Sequence, residues 1–244
     1  MCETCGCGDH HVVPVDVQDK ILSVNDRQAA HNREHFAAAG VLAVNLMGSP
    51  GSGKTALLEA TARRLGGRCR LGAIAGDLET ERDAERLRAA GVPAAAITTG
   101  SACHLDAEMV HHALHDGIGE GVDYLFIENV GNLVCPAVYD LGQAANVVAL
   151  SITEGEDKPL KYPVMFRKAD LVLLTKLDLL PHLDVSVEAL REALARVMPE
   201  PAVLVVSART GEGIAEWTQW LELRRPRPAA HAHAGARPSD HSHA

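Results

Sequence analysis

Gly48-Ser49-Pro50-Gly51-Ser52-Gly53-Lys54-Thr55 matches the pattern G-x-x-x-x-G-K-[ST] in full. That pattern works only where an apolar strand ends and a helix begins. Val41–Met47 is apolar enough to be the strand, and Thr55–Leu65 carries the helical pattern. The glycines let backbone N–H groups converge on phosphate oxygens, and the helix N-terminus adds a favourable dipole. Gly48, Gly51, Ser52 and Gly53 are therefore expected to cradle a nucleotide. Lys54 would reach the β- and γ-phosphates, and Thr55 would place its hydroxyl on Mg²⁺.

The rest of the chain suits such a site. Further strands are predicted at Arg70–Ala75, Ala94–Thr98, Tyr124–Val130, Asn146–Ile152, Leu171–Thr175 and Val203–Ser207. Helical patterns at Arg82–Ala90, Asp106–Asp116, Ser186–Val197 and Ile214–Leu221 lie between several of them. Apolar strands alternating with helices predict an α/β fold, a mostly parallel sheet flanked by helices on both faces. Three zones are expected: an N-terminal metal-binding extension with a helix over 1–40, a nucleotide-binding domain over 41–223, and a disordered His-containing tail over 224–244. The tail is Arg, Pro, Ala, His and Ser, with little to bury.

The nucleotide is expected to be GTP. Thr175-Lys176-Leu177-Asp178 ends a late strand and is similar to the guanine-reading Asn-Lys-x-Asp pattern, with Thr in place of Asn. The Asp178 carboxylate can accept both the ring N–H and the exocyclic amine of guanine, a donor pair that adenine lacks. Lys176, Ser207 and Ala208 are the further base-site candidates. Two acidic segments complete a hydrolytic site. Asp77 follows one strand and Glu128 stands near the end of another; both are expected to support Mg²⁺, and Gly131 can turn the backbone toward the γ-phosphate. Catalysis would rest on positioning and charge neutralisation. No Gln base or arginine finger is evident, so slow intrinsic turnover is expected.

The thiols form two sets. Cys2, Cys5 and Cys7 fall within the first seven residues, a spacing that suits a soft or borderline metal such as Ni²⁺. A redox-active thiol cluster is the alternative, and the Cys2 amine, His10 or His11 could add a fourth ligand. Cys103, His104 and Cys135 are distant in sequence but follow strand ends. Strand C-termini share one edge of a parallel sheet, so the three are expected to gather there and take Ni²⁺ or Zn²⁺. Cys69 reads as an ordinary packed thiol. His111 and His115 stand at ligand-capable i,i+4 spacing, but are expected at a surface or interface. The tail pairs His231/His233 and His241/His243 suit metal storage.

A net charge of −9 argues against a nucleic-acid partner. No apolar run is long enough for a membrane span, and Met1-Cys2-Glu3-Thr4-Cys5 lacks the layout of a signal peptide. A cytoplasmic protein is expected.

The combination of Cys-x-x-Cys-Gly-Cys, the phosphate loop, Gly76-Asp77-Leu78-Glu79-Thr80, Ser101-Ala102-Cys103-His104-Leu105-Asp106 and Glu128-Asn129-Val130-Gly131-Asn132-Leu133-Val134-Cys135-Pro136 resembles the HypB family. These are GTPases that assist nickel insertion into [NiFe]-hydrogenase. The resemblance runs to about Leu223. It implies the dimerising signal-recognition-particle and MinD-like class of P-loop proteins, with a nucleotide-dependent homodimer. It also implies a tight nickel site at Cys2, Cys5 and Cys7, and a nickel or zinc site at Cys103, His104 and Cys135 in the dimer interface. The implied partners are a HypA-like metallochaperone and the hydrogenase large-subunit precursor. Rival readings are a UreG-like urease maturation GTPase, a metal-storage or sensor protein with a regulatory nucleotide site, and a P-loop small-molecule kinase.

Overall fold

A computed structural model describes residues 15–200 and 202–226, with side chains from Lys20 onward. Cys2, Cys5, Cys7, His10, His11 and the tail histidines lie outside the described residues. The described residues open with α1 (Val15–Ala39) and alternate thereafter: β1 (Leu42–Met47), α2 (Lys54–Leu65), β2 (Leu71–Asp77), α3 (Arg82–Ala89), β3 (Ala94–Thr98), α4 (Ala107–His115) and β4 (Tyr124–Glu128). Then follow β5 (Ala145–Ser151), two short helices α5 (Lys158–Lys161) and α6 (Pro163–Arg167), β6 (Leu171–Thr175), α7 (Val187–Ala195), β7 (Val203–Val205) and α8 (Ile214–Arg224).

The seven strands form one sheet in the order β3-β2-β4-β1-β5-β6-β7, and each neighbouring pair is parallel. This is the helix-flanked parallel sheet that the alternation of elements predicts. Strand boundaries agree with those expected from sequence to within about two residues, which is the ordinary fraying of such assignments. Short helices at 158–161 and 163–167 and three 3₁₀ turns are additions. Each short helix has Pro in its first turn, where a missing N–H costs nothing.

Alternation along β1 divides the core. Leu42, Val44 and Leu46 face Leu57, Leu58 and Leu65 of α2 and Trp217 and Leu221 of α8. Ala43 faces the other side with Ile74, Leu125 and Ile127, where Phe36 of α1 and Val110 and Leu114 of α4 cover the sheet. Buried Trp217 donates its indole N–H to Thr61 Oγ1 at 2.9 Å, satisfying its one polar atom.

α1 is fastened by polar groups as well as by packing. Its buried face runs Asn25, Ala29, Asn32, Phe36. Asn25 Oδ1 accepts the N–H of Ala107 at 2.9 Å, and Asn32 Nδ2 donates to the Ala107 carbonyl at 2.8 Å. Both backbone groups of the first residue of α4 are thus held by α1. At the other end, α8 continues to Arg224, and Arg225 pairs with Asp123.

The strand order reverses at β1, whose neighbours are β4 on one side and β5 on the other. Open α/β sheets bind ligands beyond the strand C-termini at such a point. The phosphate loop leaves β1 there, and Asp77, Cys103, Glu128 and Thr175 lie at or just beyond the ends of their own strands on the same edge.

Candidate nucleotide and metal site

The phosphate loop takes the shape the glycines permit. At Gly48, with φ of 148°, a Cβ would sit 2.3 Å from the Ala149 carbonyl oxygen, so no side chain fits. Gly51 and Gly53 have φ of 72° and 94°. Lys54 is buried, and its ammonium folds back to donate to the carbonyls of Gly48 and Ser49, at 3.3 Å each. Burial lowers the Lys54 pKa, while Glu128, Asp83, Glu154 and Asp77 oppose that change. Ser52 is buried, and its carbonyl accepts the Thr175 hydroxyl at 2.6 Å. Thr175, the departure from the guanine-reading pattern, therefore braces the phosphate loop.

Three oxygen-bearing groups meet at the start of α2. Thr55 Oγ1 lies 2.8 Å from Glu128 Oε1 and 2.8 Å from Asp83 Oδ1. A hydroxyl has one proton, so it donates to only one of them at a time. Burial raises the Glu128 pKa to about 7 despite the Lys54 charge, so a protonated Glu128 can be the donor of its own contact. Glu128 Oε2 is buried with no hydrogen-bond partner among the described residues. An all-oxygen set with an unsatisfied buried carboxylate oxygen fits a hard divalent cation such as Mg²⁺.

Asp83 is a member of this set that the sequence does not single out. It sits among alternating charges in Arg82-Asp83-Ala84-Glu85-Arg86, where an acid normally points to solvent. Asp77, by contrast, uses its carboxylate locally. Its Oδ1 accepts the N–H of Glu79 at 3.0 Å and of Thr80 at 2.9 Å. Burial raises its pKa, but these hydrogen bonds and that from the Thr80 hydroxyl outweigh it and leave the net change downward. Asp77 lines the same cavity without touching Thr55, so of the two acids expected to support Mg²⁺ only Glu128 is joined to Thr55 here.

These residues line a cavity of about 590 Å³ with Pro50, Arg86, Asn129 and Gly131. A Cβ on Gly131 would lie 2.9 Å from Pro50 Cα and N, so the segment after β4 abuts the phosphate loop directly. An isolated antiparallel bridge from Gly48 to Asn132 reinforces the contact. Beyond the far end of the phosphate loop, Gly53, Thr175, Lys176, Asp178 and Ala208 line a smaller cavity of about 170 Å³. Lys176 adopts the left-handed conformation with φ of 62°. Asp178 Oδ1 accepts the Ser207 hydroxyl at 2.6 Å, which fixes the carboxylate. The two expected base-site segments thus meet.

Cys103, His104 and Cys135 also come together. Their ligand atoms lie within 4.8 Å of one another, the one such cluster of His, Cys, Asp and Glu found among the described residues. Cys103 Sγ is 2.8 Å from Cys135 Sγ and 3.8 Å from His104 Nδ1. The His104 ring stacks on Tyr139 with centroids 3.8 Å apart. Burial lowers its pKa, partly offset by Asp106, and so favours the neutral, ligating imidazole. Two sulfurs and one imidazole suit Zn²⁺ or Ni²⁺. Cys69 packs partly buried against the core, as expected.

A buried amide connects the two sites. Asn129 Oδ1 accepts the N–H of Leu105, next to His104, at 3.1 Å, and also that of Val130 at 3.0 Å. Its Nδ2 donates to Asn45 Oδ1 at 3.1 Å, and Asn45 Nδ2 donates to Asn146 Oδ1 at 3.1 Å. The side chain between Glu128 and the Gly131 segment therefore holds the loop that carries two of the three metal-ligand candidates.

Residues 42–205 match the family described as CobW/HypB/UreG, nucleotide-binding domain. The chain is 57% identical over 211 residues to hydrogenase maturation factor HypB of Azotobacter vinelandii, spanning 86% of this chain and 69% of that protein. It also resembles the crystal structure of HypB from Helicobacter pylori in complex with nickel, with a TM-score of 0.79, 41% identity, and coverage of 83% of this chain and 95% of that one. For HypB from Archaeoglobus fulgidus the TM-score is 0.76 at 42% identity, covering 82% of this chain and 98% of that one. The chain belongs to the HypB hydrogenase maturation factors, within the CobW/HypB/UreG family of P-loop nucleotide-binding proteins.

Proposed function

We propose that this protein is a GTP-hydrolysing metallochaperone that binds nickel and assists its insertion into a [NiFe]-hydrogenase large-subunit precursor. Family membership supports nucleotide hydrolysis and the maturation role. GTP is the substrate because Asp178, held by Ser207, offers a carboxylate at the base cavity. Thr55, Asp83 and Glu128 would hold Mg²⁺, which supplies charge neutralisation at the phosphates. Lys54, now resting on loop carbonyls, would exchange those contacts for phosphate oxygens. Gly131, pressed against Pro50, would bring its segment to the γ-phosphate. Asp77 lines that cavity and would assist when its loop rearranges around nucleotide.

The single observation that carries the coupling is the Asn129 bond to Leu105 N. A shift of the Glu128–Gly131 segment on hydrolysis would move the Cys103–His104 loop and, through the chain, Cys135. Metal affinity would then follow nucleotide state. Nickel is the cargo at Cys103, His104 and Cys135, where Zn²⁺ competes, and Cys2, Cys5 and Cys7 would form a second nickel site. A cytoplasmic homodimer that works with a HypA-like metallochaperone fits this role. The 1–40 segment would act as a metal-binding extension and 224–244 as a metal-buffering tail.

The test is Ni²⁺ and Zn²⁺ affinity with GDP and with a non-hydrolysable GTP analogue, on the full chain and on Cys135→Ala and Cys2/Cys5/Cys7→Ala variants. One nickel site should be lost with the terminal thiols. The other should shift with nucleotide and lose that shift in Cys135→Ala. Affinities indifferent to nucleotide would refute the coupling.

A further inference from the structure

Four histidines line the seam between α1 and α4. His31 and His35 are four residues apart on α1, each one position before a buried residue, Asn32 or Phe36. His111 and His115 are four apart on α4, and the first follows buried Val110 while the second follows buried Leu114. Residues at i and i+4 lie on one face of a helix. Each helix therefore presents its pair beside the packed stripe. His111 is the hub: its Nε2 lies 3.0 Å from His115 Nε2, and the His31 ring stands edge-on to it with centroids 5.2 Å apart.

The His111–His115 contact is attractive only if one of the two nitrogens carries a proton and the other offers a lone pair. A divalent ion can take the place of that shared proton. With metal–imidazole bonds of about 2.1 Å, nitrogens 3.0 Å apart subtend close to a right angle at the ion. That is the angle between adjacent ligands in square-planar or octahedral coordination, and a small splay reaches the tetrahedral value.

We propose that His111 and His115 form the core of an all-imidazole site for a divalent transition-metal ion, which His31 completes by swinging its side chain toward them, so that the ion bridges α1 and α4. Imidazole donors at this angle suit Ni²⁺ and Cu²⁺, with Zn²⁺ accommodated by the splay. Burial, followed by the neighbouring imidazoles His115, His31, His112 and His35, lowers the His111 pKa, which keeps a lone pair on offer. His35 is the reserve ligand on α1. His112 points elsewhere, toward Glu108, with Nε2 3.8 Å from Oε1.

The site is separate from the thiolate set. It contains no sulfur, and His111 lies about 6 Å of helical rise beyond Ala107, on the helix that follows Cys103 and His104. It also makes no use of the nucleotide. An ion bound there would tie α1 to α4.

The experiment is Ni²⁺ equilibrium dialysis and amide hydrogen exchange on the full-length chain, comparing the parent with His111→Asn/His115→Asn. His112→Asn is the surface control. All three substituted side chains lie at or near the surface, so folding is preserved, and circular dichroism verifies it. The double variant should bind one equivalent fewer, or bind it about tenfold or more weakly, since even residues behind a ligand cost that much. Ni²⁺ should slow exchange in α1 of the parent and the control, but not of the double variant. Cys103→Ser/Cys135→Ser should leave this behaviour intact, which separates the site from the proposed cargo site. Equal stoichiometry and affinity in parent and double variant, or α1 exchange insensitive to Ni²⁺ in the parent, overturns the proposal.

Discussion

Glu128→Gln should make the nucleotide-free protein more stable at alkaline pH while disabling its cation site. Burial raises the Glu128 pKa from 4.5 to about 7. The folded state therefore holds a proton that the unfolded chain releases, and stability falls as pH rises between those values. The penalty is complete above pH 7. Linkage for one such group predicts a cost of about 1 kcal/mol at pH 5 and about 3 kcal/mol at pH 8, because a tenfold difference in proton affinity between the two states is worth about 1.4 kcal/mol. Glutamine keeps the shape and a polar contact to Thr55 but never ionises. Removing the penalty should thus favour the variant by about 2 kcal/mol more at pH 8 than at pH 5. This is an upper bound, because Lys54 loses an anionic partner. The assay is urea unfolding of both proteins at the two pH values, without nucleotide and with a chelator present. A stability difference that does not change with pH would refute the assignment of a buried, proton-holding Glu128. Under Mg²⁺ and GTP the order should reverse: the parent gains stability from ligand and the variant gains far less.

Gly131→Ala places a methyl group against the backbone of Pro50; nucleotide binding should survive while GTP turnover falls about tenfold or more, since small misplacements of catalytic groups cost that much. Equal turnover would show that the segment does not need to press on the phosphate loop. Asp178→Asn should weaken GTP binding by about 10–100-fold, because a charge-assisted contact contributes roughly 1.5–3 kcal/mol, and should raise relative affinity for XTP, which offers an acceptor where guanine has its amine. Competition binding of the two nucleotides reads this directly. Asn129→Leu strands the buried Leu105 N–H and Asn45 amide; it should cost about 2–4 kcal/mol of stability, measured by denaturation, and abolish any effect of nucleotide on metal affinity. Retained coupling in this variant would move the link elsewhere.

The phosphate loop and the parallel sheet are legible in the sequence because their signals are local. An apolar run such as Leu171–Thr175 declares a buried strand, and glycines at fixed spacing declare the loop. The gathering of Cys103, His104 and Cys135 follows from topology alone, since strand ends share an edge. Asp83 is not legible. Its contact to Thr55 depends on where α3 lies across α2, and nothing within the run of charges at 82–86 distinguishes it from its neighbours. The role of Thr175 is hidden for the same reason: its hydrogen bond reaches the carbonyl of Ser52, 123 residues away. Asn129 is visible as part of a motif, but the function of its amide emerges only when Leu105 is brought beside it. The histidine seam is half visible. The i,i+4 pair on α4 stands out, whereas His31 joins it only through helix packing.

The grip of α1 on Ala107 bears on how the molecule comes apart. The backbone N–H and carbonyl of that residue depend on asparagines of the first helix, 82 and 75 residues away in the chain. If α1 peels away, a donor and an acceptor at the head of α4 lose their partners together, three residues from His104. Detachment of the first helix and slackening of the cargo loop are then one event rather than two. A fragment trimmed to begin at Val41 would keep every strand of the sheet yet carry a loosened metal loop, and its nickel affinity at Cys103, His104 and Cys135 would understate that of the same three residues in the whole protein.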